Sequence, residues 1–208
     1  MQQPILYVDH HYGSPYAMAV FVALREKGVA FDLRTVDLDA GRQHERDYAA
    51  ASVTQRVPTL VHDGFALSES SAICEYLDEV FPGTRLFPAD LRQRARARQV
   101  QAWIRSDLMP IREERSTEVV FYGVKRPPLT ARGEAAAAKL FAGADVLLPQ
   151  GADNLFGEWS IADVDLAMML NRLAMHGDAV PERLAAYAQR QFRRPAVQEW
   201  LEIARPPL

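Results

Sequence analysis

The sequence has very little of several ingredients, and each scarcity excludes a class of protein. It has one cysteine, Cys74, among 208 residues, so neither an internal disulfide nor a Cys-x-x-Cys redox pair can form. No apolar run approaches the roughly 20 residues that a membrane-spanning helix needs. A basic segment followed by a long apolar run is missing after Met1, so we predict no secretory signal and a cytoplasmic protein.

Positive charge is not in excess either, and this bears on the partners of the chain. Lys and Arg number 24 against 27 Asp and Glu, which gives a net charge of −3 at pH 7. Binding of nucleic acid or of an anionic membrane surface needs a dominant basic face. We therefore expect neither nucleic acid nor a membrane as a partner.

Metal-site spacing is missing from the His, Cys, Asp and Glu residues, so we expect no metal. The adjacent residues His10 and His11 are interpreted as loop residues. Apolar residues make up 49% of the chain, so a sizeable core can form without metals or disulfides. Within that core we place Cys74 as a small packed residue and Tyr7 as a packed side chain in mid-strand.

The chain up to Val80 alternates between strand and helix patterns. Apolar residues between Ala17 and Leu24 have the i, i+3, i+4, i+7 spacing of a core-facing helix, and Gly28 predicts its end. Asp63-Gly64 predicts a hairpin turn. The predicted elements are strands at 5–8, 31–36, 59–61 and 65–67, helices at 14–27 and 68–80, and a weak surface helix or loop at 42–48.

The chain after Pro88 has helical patterns separated by prolines. A mixed α/β unit followed by an all-helical unit predicts two domains. We place the first, of order βαβαββα, at residues 1–81 and the second at residues 89–208. The predicted joint, residues 81–88, contains two prolines and a glycine.

Ser14-Pro15 is the first of three places that concentrate the chemistry of the sequence. Serine is a preferred N-cap, and proline suits the first helical position. A helix N-terminus attracts anions through its unpaired N–H groups and its dipole, and a hydroxyl there can donate a hydrogen bond to a thiolate. The local sequence leaves open that Ser14 only caps the helix.

Val57-Pro58, just before the predicted strand at 59–61, is the second place. Proline is tolerated at the start of a strand, where it need not donate to the ladder. A cis bond would suit a close approach to an internal strand, but only about 5–6% of X-Pro bonds are cis. Taken alone, the dipeptide therefore favours a trans bond.

Glu69-Ser70, at a junction of strand and helix, is the third place. A carboxylate next to exposed N–H groups can hold an ammonium and a carboxylate of one ligand together. Glu69 would take the ammonium, and the Ser70 hydroxyl and N–H would take the carboxylate. The same residues also suit a simple capping cluster in the first helical turn, and the local sequence leaves both interpretations open.

The order and spacing of these signals resemble one family over the whole chain. Strand, Ser-Pro helix, strand, Val-Pro strand, hairpin, Glu-Ser helix and an all-helical domain are similar to the glutathione transferase superfamily. The stretch ESSAICEYL at 69–77 resembles the family's Glu-Ser-x-Ala-Ile-x-x-Tyr-Leu. The resemblance implies a thioredoxin-like first domain, a homodimer, and glutathione as co-substrate without a metal.

The resemblance also implies roles for single residues. Ser14 matches the family's Ser/Cys-Pro position and would face the glutathione sulfur as the catalytic residue. Pro58 matches the family's cis-proline, and Val57 matches the residue whose backbone pairs with the cysteinyl part of glutathione. Glu69 and Ser70 match the pair that holds the γ-glutamyl end.

The helical half supports the same resemblance. Ser160-x-x-Asp163 is a capping box, flanked by Trp159 and Val164 at the positions of a hydrophobic staple. The family's second domain contains a similar buried boxed helix. More narrowly, residues 94–115 and 154–172 resemble the YfcF-type bacterial glutathione transferases.

The implied function is activation of the glutathione thiolate for attack on small hydrophobic electrophiles, with glutathione-dependent peroxidase action on hydroperoxides as a further activity. The acceptor is expected between the two domains, against Tyr12, Trp103, Met109 and Arg112. The candidates for holding the glycine carboxylate of glutathione are Gln43, His44 and Arg56. Ser52-Val53 stands where the family commonly has Asn-Pro, so this sequence departs from the pattern next to that contact.

Two other classes of function stay open. A glutathione-binding module that has lost catalysis would keep the fold and serve interaction or regulation, although the intact Ser14 and Glu69-Ser70 argue against it. A thiol-disulfide reductase normally needs a cysteine at the Ser14 position, so the sequence disfavours that activity.

Overall fold

The computed structural model describes residues 2–208 and has a mixed α/β part followed by a helical part. The first part contains strands β1 (Ile5–Asp9), β2 (Asp32–Val36), β3 (Thr59–His62) and β4 (Phe65–Ser68), helices α1 (Pro15–Glu26), α2 (Arg46–Ala51) and α3 (Ser70–Val80), and a 3₁₀ turn at Arg42–His44. The helices that follow are α4 (Leu91–Ser106), α5 (Met109–Glu114), α6 (Thr117–Phe121), α7 (Ala131–Leu147), α8 (Ile161–Ala174), α9 (Glu182–Phe192) and α10 (Pro195–Leu201). This order confirms the predicted fold class.

The four strands form one mixed sheet in the order β2-β1-β3-β4. β1 is parallel to β2 and antiparallel to β3, and β3 is antiparallel to β4. Tyr7 lies opposite Thr59, and Thr59 lies opposite Ser68. One end of the sheet therefore contains the C-terminal ends of β1, β2 and β4 and the beginning of β3.

Helix α1 is the centre of the first unit's core. Its residues Ala17–Leu24 are all buried, because it packs on the sheet and on α3 as well as on α10. Gly28 ends the helix with a φ of 67°, a conformation that glycine adopts without a Cβ clash. The predicted hairpin is also present, with Asp63 and Gly64 at positive φ between β3 and β4.

The chain divides into two units, of which the first comprises the residues up to Leu86 together with Pro195–Leu208. The second comprises Phe87–Arg194. The predicted ranges, 1–81 and 89–208, differ from this division at the C-terminal segment. Trp200 of that segment is fully buried, with its ring centre 5.3 Å from that of Phe21 and 5.8 Å from that of Tyr12. These aromatic contacts place α10 in the first unit.

Helix α8 is the buried centre of the second unit, and Ile161–Leu173 are buried along it. The predicted capping box is present at its start, where the Asp163 carboxylate accepts a 2.9 Å hydrogen bond from the Ser160 N–H. The same carboxylate accepts bonds from the Leu155 N–H and the Tyr187 hydroxyl, both at 2.8 Å. Burial raises the pKa of Asp163, and these hydrogen bonds oppose the rise.

The lengths and compositions of the helices also bear on membranes. No helix within residues 2–208 is both long enough and apolar enough to cross a bilayer.

Candidate functional site

The three segments that the sequence singles out for their chemistry lie at this end of the sheet, at one end of the first unit. Ser14 follows β1, Val57-Pro58 precedes β3, and Glu69-Ser70 follows β4. Because β1 pairs with β3 and β3 pairs with β4, these three segments emerge next to one another. Ser14 and Glu69, which are more than fifty positions apart in the chain, thereby lie at the same end of the sheet.

Ser14 is the N-cap of α1, and Pro15 is the first residue of the helix, as the sequence predicts. Its hydroxyl oxygen accepts a 3.2 Å hydrogen bond from the N–H of Ala17. The hydroxyl hydrogen has no acceptor in residues 2–208, so it is free to donate to a ligand. The geometry therefore combines a hydroxyl donor with the positive end of a twelve-residue helix.

Asp9 holds the loop that leads to Ser14, a role that the sequence analysis missed. Its carboxylate, 7% exposed, accepts hydrogen bonds from the N–H of Gly13 at 2.6 Å and of Ser14 at 3.0 Å. The loop also contains Tyr12 at a φ of 50°. An acidic residue five positions before an N-cap was the available signal, but this spacing alone does not specify the loop geometry that brings the carboxylate to the two N–H groups.

The Val57-Pro58 bond is cis. The dipeptide alone favoured trans, and the family resemblance implied cis, so the resemblance was the better guide. The backbone N–H and C=O of Val57 have no partner within residues 2–208. These two groups can therefore pair with the backbone of an extended peptide.

A cluster of hydroxyl groups fixes the backbone just before the cis bond. The carbonyl oxygen of Arg56 accepts hydrogen bonds from the hydroxyls of Tyr48 at 2.7 Å, Thr59 at 3.0 Å and Ser52 at 3.3 Å. The Thr59 hydroxyl oxygen is also 2.9 Å from that of Ser52, and since it has one proton it donates either to Ser52 or to the Arg56 carbonyl. Burial raises the pKa of Tyr48, so its hydroxyl keeps its proton and remains a donor. Ser52, which stands where the family commonly has asparagine, therefore has a structural role in this cluster.

Glu69 has a φ of 73° and a ψ of 111°, which is unusual for a residue other than glycine. It is the N-cap residue of α3, yet its side chain makes no capping bond and is exposed. The carboxylate is therefore exposed to solvent and not bound to the N–H groups of the helix end. Ser70, the next residue, is 3% exposed and begins the helix.

Gln43 and His44 lie in the 3₁₀ turn before α2 and belong to a short hydrogen-bonded chain. The Nδ1 atom of His44 is 2.7 Å from Oε1 of Gln55, and its Nε2 atom is 3.3 Å from Nε2 of Gln43. Gln55, at a φ of 51°, was not a candidate in the sequence analysis. The side chains come together because the loop before β3 returns beside the turn, and no local pattern announces that contact.

Comparison with known proteins assigns both halves of the chain. Residues 9–85 match the glutathione S-transferase N-terminal domain, and residues 90–205 match the glutathione S-transferase C-terminal domain. The chain belongs to the glutathione S-transferase family. Membership in this family supports a glutathione-dependent activity. The narrower resemblance to YfcF-type proteins stays a prediction.

Individual relatives of this glutathione S-transferase are known in sequence and in structure. A glutathione transferase homolog from Burkholderia GL BGR1, solved with bound glutathione, is 47% identical over 96% of this chain and 97% of that one, with a TM-score of 0.80. A maleylacetoacetate isomerase from Methylobacterium extorquens AM1, solved with malonate and glutathione, is 27% identical over 98% of this chain and all of that one, with a TM-score of 0.74.

A probable maleylacetoacetate isomerase 2 from Drosophila melanogaster is 34% identical over 111 aligned residues. The aligned part is 52% of this chain and 48% of that protein. The chain spans about half the length of the curated relatives it matches.

The four acceptor-side candidates of the glutathione S-transferase are divided between the units. Tyr12 lies in the first unit, where its ring contacts that of Trp200. Trp103, Met109 and Arg112 lie in the second. Met109 is 40% exposed at the start of α5, and the Arg112 guanidinium donates a 2.9 Å bond to the Arg105 carbonyl.

Trp103 lines a groove of about 480 Å³ between α4 and α7 within the second unit. Its ring lies over Gly143, where a Cβ atom would come within 2.5 Å of it. The absence of a side chain at Gly143 therefore makes room for the indole. The other residues along the groove are Arg96, Gln99, Val100, Lys139, Ala142, Val146 and Leu147.

Proposed function

We propose that this glutathione S-transferase ionises the thiol of glutathione at Ser14 and directs the sulfur to small hydrophobic electrophiles. The observation that supports the proposal most is the free hydroxyl donor of Ser14 at the positive end of α1. Glutathione would lie extended across this end of the sheet, with its cysteinyl backbone paired with Val57 and its γ-glutamyl end bound by Glu69 and Ser70.

The energy that this ionisation needs is within reach of the groups present. A free thiol with a pKa of about 8.5 is only ~3% thiolate at pH 7, and a pKa of about 6.5 gives roughly three-quarters thiolate. That shift corresponds to about 2.7 kcal/mol. A hydrogen bond to a charged group supplies about 1.5–3 kcal/mol, and a helix N-terminus adds about 0.3–1 kcal/mol.

The mechanism then needs little further chemistry. The sulfur attacks the electrophilic carbon of the acceptor, a carbon–sulfur bond forms, and the leaving group departs or the added electron pair is protonated. The protein contributes by holding the thiolate beside the acceptor. Tyr12, Trp103, Met109 and Arg112 remain the proposed acceptor-side residues, and Gln43 and His44 remain proposed for the glycine end. Peroxidase activity and a homodimer also remain predictions.

A second candidate function is glutathione-dependent isomerisation, because several curated relatives are named maleylacetoacetate isomerase. In that reaction the thiolate adds to a conjugated double bond, the bond rotates, and elimination returns the thiolate. Glutathione is therefore not consumed. Consumption of one glutathione per product supports the transferase, and turnover without consumption supports the isomerase.

Turnover in Ser14→Ala tests the proposal directly. If the thiol pKa rises by one to two units, the thiolate fraction at pH 7 falls by about threefold to 25-fold, and turnover should fall in proportion. Affinity for glutathione at pH 7 should fall only about three- to fourfold, because the neutral thiol binds without help from Ser14 and only the preference for the thiolate is lost. The matched control is Thr130→Ala, which removes a hydroxyl N-cap from α7. Equal turnover in Ser14→Ala and the parent would contradict the proposal.

The two other classes of function have separate outcomes. A binding module without catalysis predicts retention on immobilised glutathione but no turnover across a broad panel of acceptors and hydroperoxides. A thiol-disulfide reductase predicts reduction of hydroxyethyl disulfide. Cys74 is fully buried in α3, which disfavours the reductase, and strong reductase activity that survives Cys74→Ala would overturn the ranking.

A further inference from the structure

His10, His11 and Asp39 form a cluster that the thiolate chemistry does not use. Within residues 2–208, one ligand atom from each of the three lies within 4.8 Å of the others. Nε2 of His11 is 2.9 Å from Oδ2 of Asp39, and Nε2 of His10 is 3.9 Å from the same oxygen. Sequence spacing does not reveal this set, because Asp39 lies 28 positions after His11.

The sheet explains why these residues meet. β1 and β2 are parallel, with Asp9 opposite Val36, so the loops that follow the two strands leave the sheet side by side. The N–H of His10 donates a 3.1 Å bond to the carbonyl of Val36 and fixes the first loop to the end of β2. The two imidazole rings then lie side by side, with their centres 3.9 Å apart and their planes tilted by 46°.

The spacing of the three atoms suits a small tetrahedral ion. Zinc binds histidine nitrogen and carboxylate oxygen at about 2.0–2.2 Å, which places neighbouring ligand atoms about 3.3 Å apart. The separations of the two imidazole nitrogens from the Asp39 oxygen, 2.9 and 3.9 Å, lie on either side of that value. A simple ion pair accounts for His11 and Asp39 but does not require the second imidazole at the same oxygen.

The other ring nitrogen of His10 supplies an independent observation. Its Nδ1 atom is buried without a hydrogen-bond partner, and it lies 3.6 Å from Oδ1 of Asp37. That oxygen already accepts a 2.9 Å bond from the N–H of Ala40, so the carboxylate is held in place. Metal-bound histidines commonly donate their second ring N–H to a carboxylate, which fixes the tautomer that leaves the other nitrogen free for the metal. At 3.6 Å the His10–Asp37 pair is just beyond hydrogen-bond distance, and a small shift of the imidazole toward Asp37 on metal binding would complete that bond.

We propose that His10, His11 and Asp39 bind a divalent transition-metal ion of the zinc class, with Asp37 orienting His10. Two imidazoles and one carboxylate favour such an ion over Mg²⁺ and Ca²⁺, which take oxygen ligands. Side-chain exposures of 29%, 24% and 75% for His10, His11 and Asp39 leave a path for entry and a position for water. The ion would link the two loops, and the thiolate chemistry at Ser14 does not require it.

Zinc titration of the untagged protein without glutathione tests the site. Competition with a chromogenic chelator measures stoichiometry and affinity for the parent, His11→Gln, Asp39→Asn and Asp37→Asn. We expect one ion per chain, and loss of a ligand should weaken binding by at least the roughly 10- to 100-fold typical of a lost outer partner. The matched control is His176→Gln, which alters a His–Asp pair that has no second imidazole.

Each outcome decides the question. Binding of one zinc ion that is weakened in His11→Gln and Asp39→Asn but not in His176→Gln supports the site, as does a Zn²⁺-induced rise in melting temperature with the same pattern. Failure of the parent to bind, or equal binding by parent and Asp39→Asn, overturns it. Asp39 is a surface side chain, so its variant keeps the test valid if His11→Gln fails to fold.

Discussion

Replacing Glu69 by glycine should stabilise the protein while weakening its binding of glutathione. Glu69 combines an exposed carboxylate with a φ of 73° and a ψ of 111°. Glycine relieves the backbone but removes the carboxylate. Alanine removes the carboxylate and leaves the backbone strain in place. The pair of variants therefore separates the role of the side chain from that of the backbone.

The expected change in stability follows from the backbone. A residue held in a sparsely populated φ/ψ region lowers stability by about 1–3 kcal/mol, and glycine relieves that strain. Glycine also makes the unfolded chain more flexible, which lowers stability by about 0.4–1 kcal/mol and offsets part of the gain. We expect the glycine variant to be about 1–2 kcal/mol more stable than the alanine variant. The hydrogen bond from the Ile73 N–H to the residue 69 carbonyl, 2.9 Å, survives in both.

The expected change in affinity follows from the carboxylate. A hydrogen bond to a charged group is worth about 1.5–3 kcal/mol, and exposure of Glu69 favours the lower end of this range. Both variants should therefore bind glutathione about tenfold more weakly than the parent. Glu79→Ala removes an exposed carboxylate from the same helix and should leave the affinity unchanged.

Denaturant unfolding and calorimetric titration with glutathione measure the two quantities. A glycine variant less stable than the alanine variant would refute the account of the backbone. Undiminished affinity in both variants would remove Glu69 from the proposed glutathione site.

Three other changes test the second unit. Asp163→Ala leaves the N–H groups of Ser160 and Leu155 and the Tyr187 hydroxyl without their acceptor, so denaturant unfolding should show a loss of at least about 3 kcal/mol, against about 1 kcal/mol for Ser160→Ala. A loss under 1 kcal/mol in Asp163→Ala would contradict this. Gly143→Ala places a methyl group 2.5 Å from the tip of the Trp103 ring, so the indole must shift and its emission should change. The overpacking cost of about 1–3 kcal/mol is offset by about 1 kcal/mol of helix propensity, so we expect a net loss of about 0–2 kcal/mol, and a rise in melting temperature with unchanged emission would contradict this. Hydrogen bonds from Arg115, at 2.6 and 2.8 Å, lower the pKa of Asp178, so its contribution to stability is present above the carboxyl group's ordinary pKa and is lost as pH falls through the lowered value. The difference in unfolding free energy between the parent and Asp178→Asn should therefore shrink on acidification, and a pH-independent difference would contradict that sign.

Much of the fold was predictable because it depends on local patterns. The helix from Ser14 to Gly28, the Asp63-Gly64 hairpin and the Ser160 capping box each have short signatures, and all three are present. The order of elements then indicated the fold class. The weak segment at 42–48 resolved into a 3₁₀ turn and the start of α2, and its charged surface pattern could not distinguish these from a loop.

The features that were not predictable depend on contacts across the chain. The hydrogen bonds of Asp9 to Gly13 and Ser14 need a loop geometry that no spacing rule specifies. Gln55 reaches His44 only because two loops return to one place. Asp39 meets the two histidines only through parallel pairing of β1 and β2, and Trp200 joins the first unit through aromatic contacts distant in sequence.

The ionisation of glutathione bound to the protein tests the central claim most directly. Ultraviolet absorbance of the thiolate, followed against pH at saturating glutathione, gives the pKa of the bound thiol. We predict a value of about 6.5 for the parent, a rise of about one unit or more in Ser14→Ala, and no change in Thr130→Ala. A bound thiol with the same pKa in Ser14→Ala and in the parent would contradict the account.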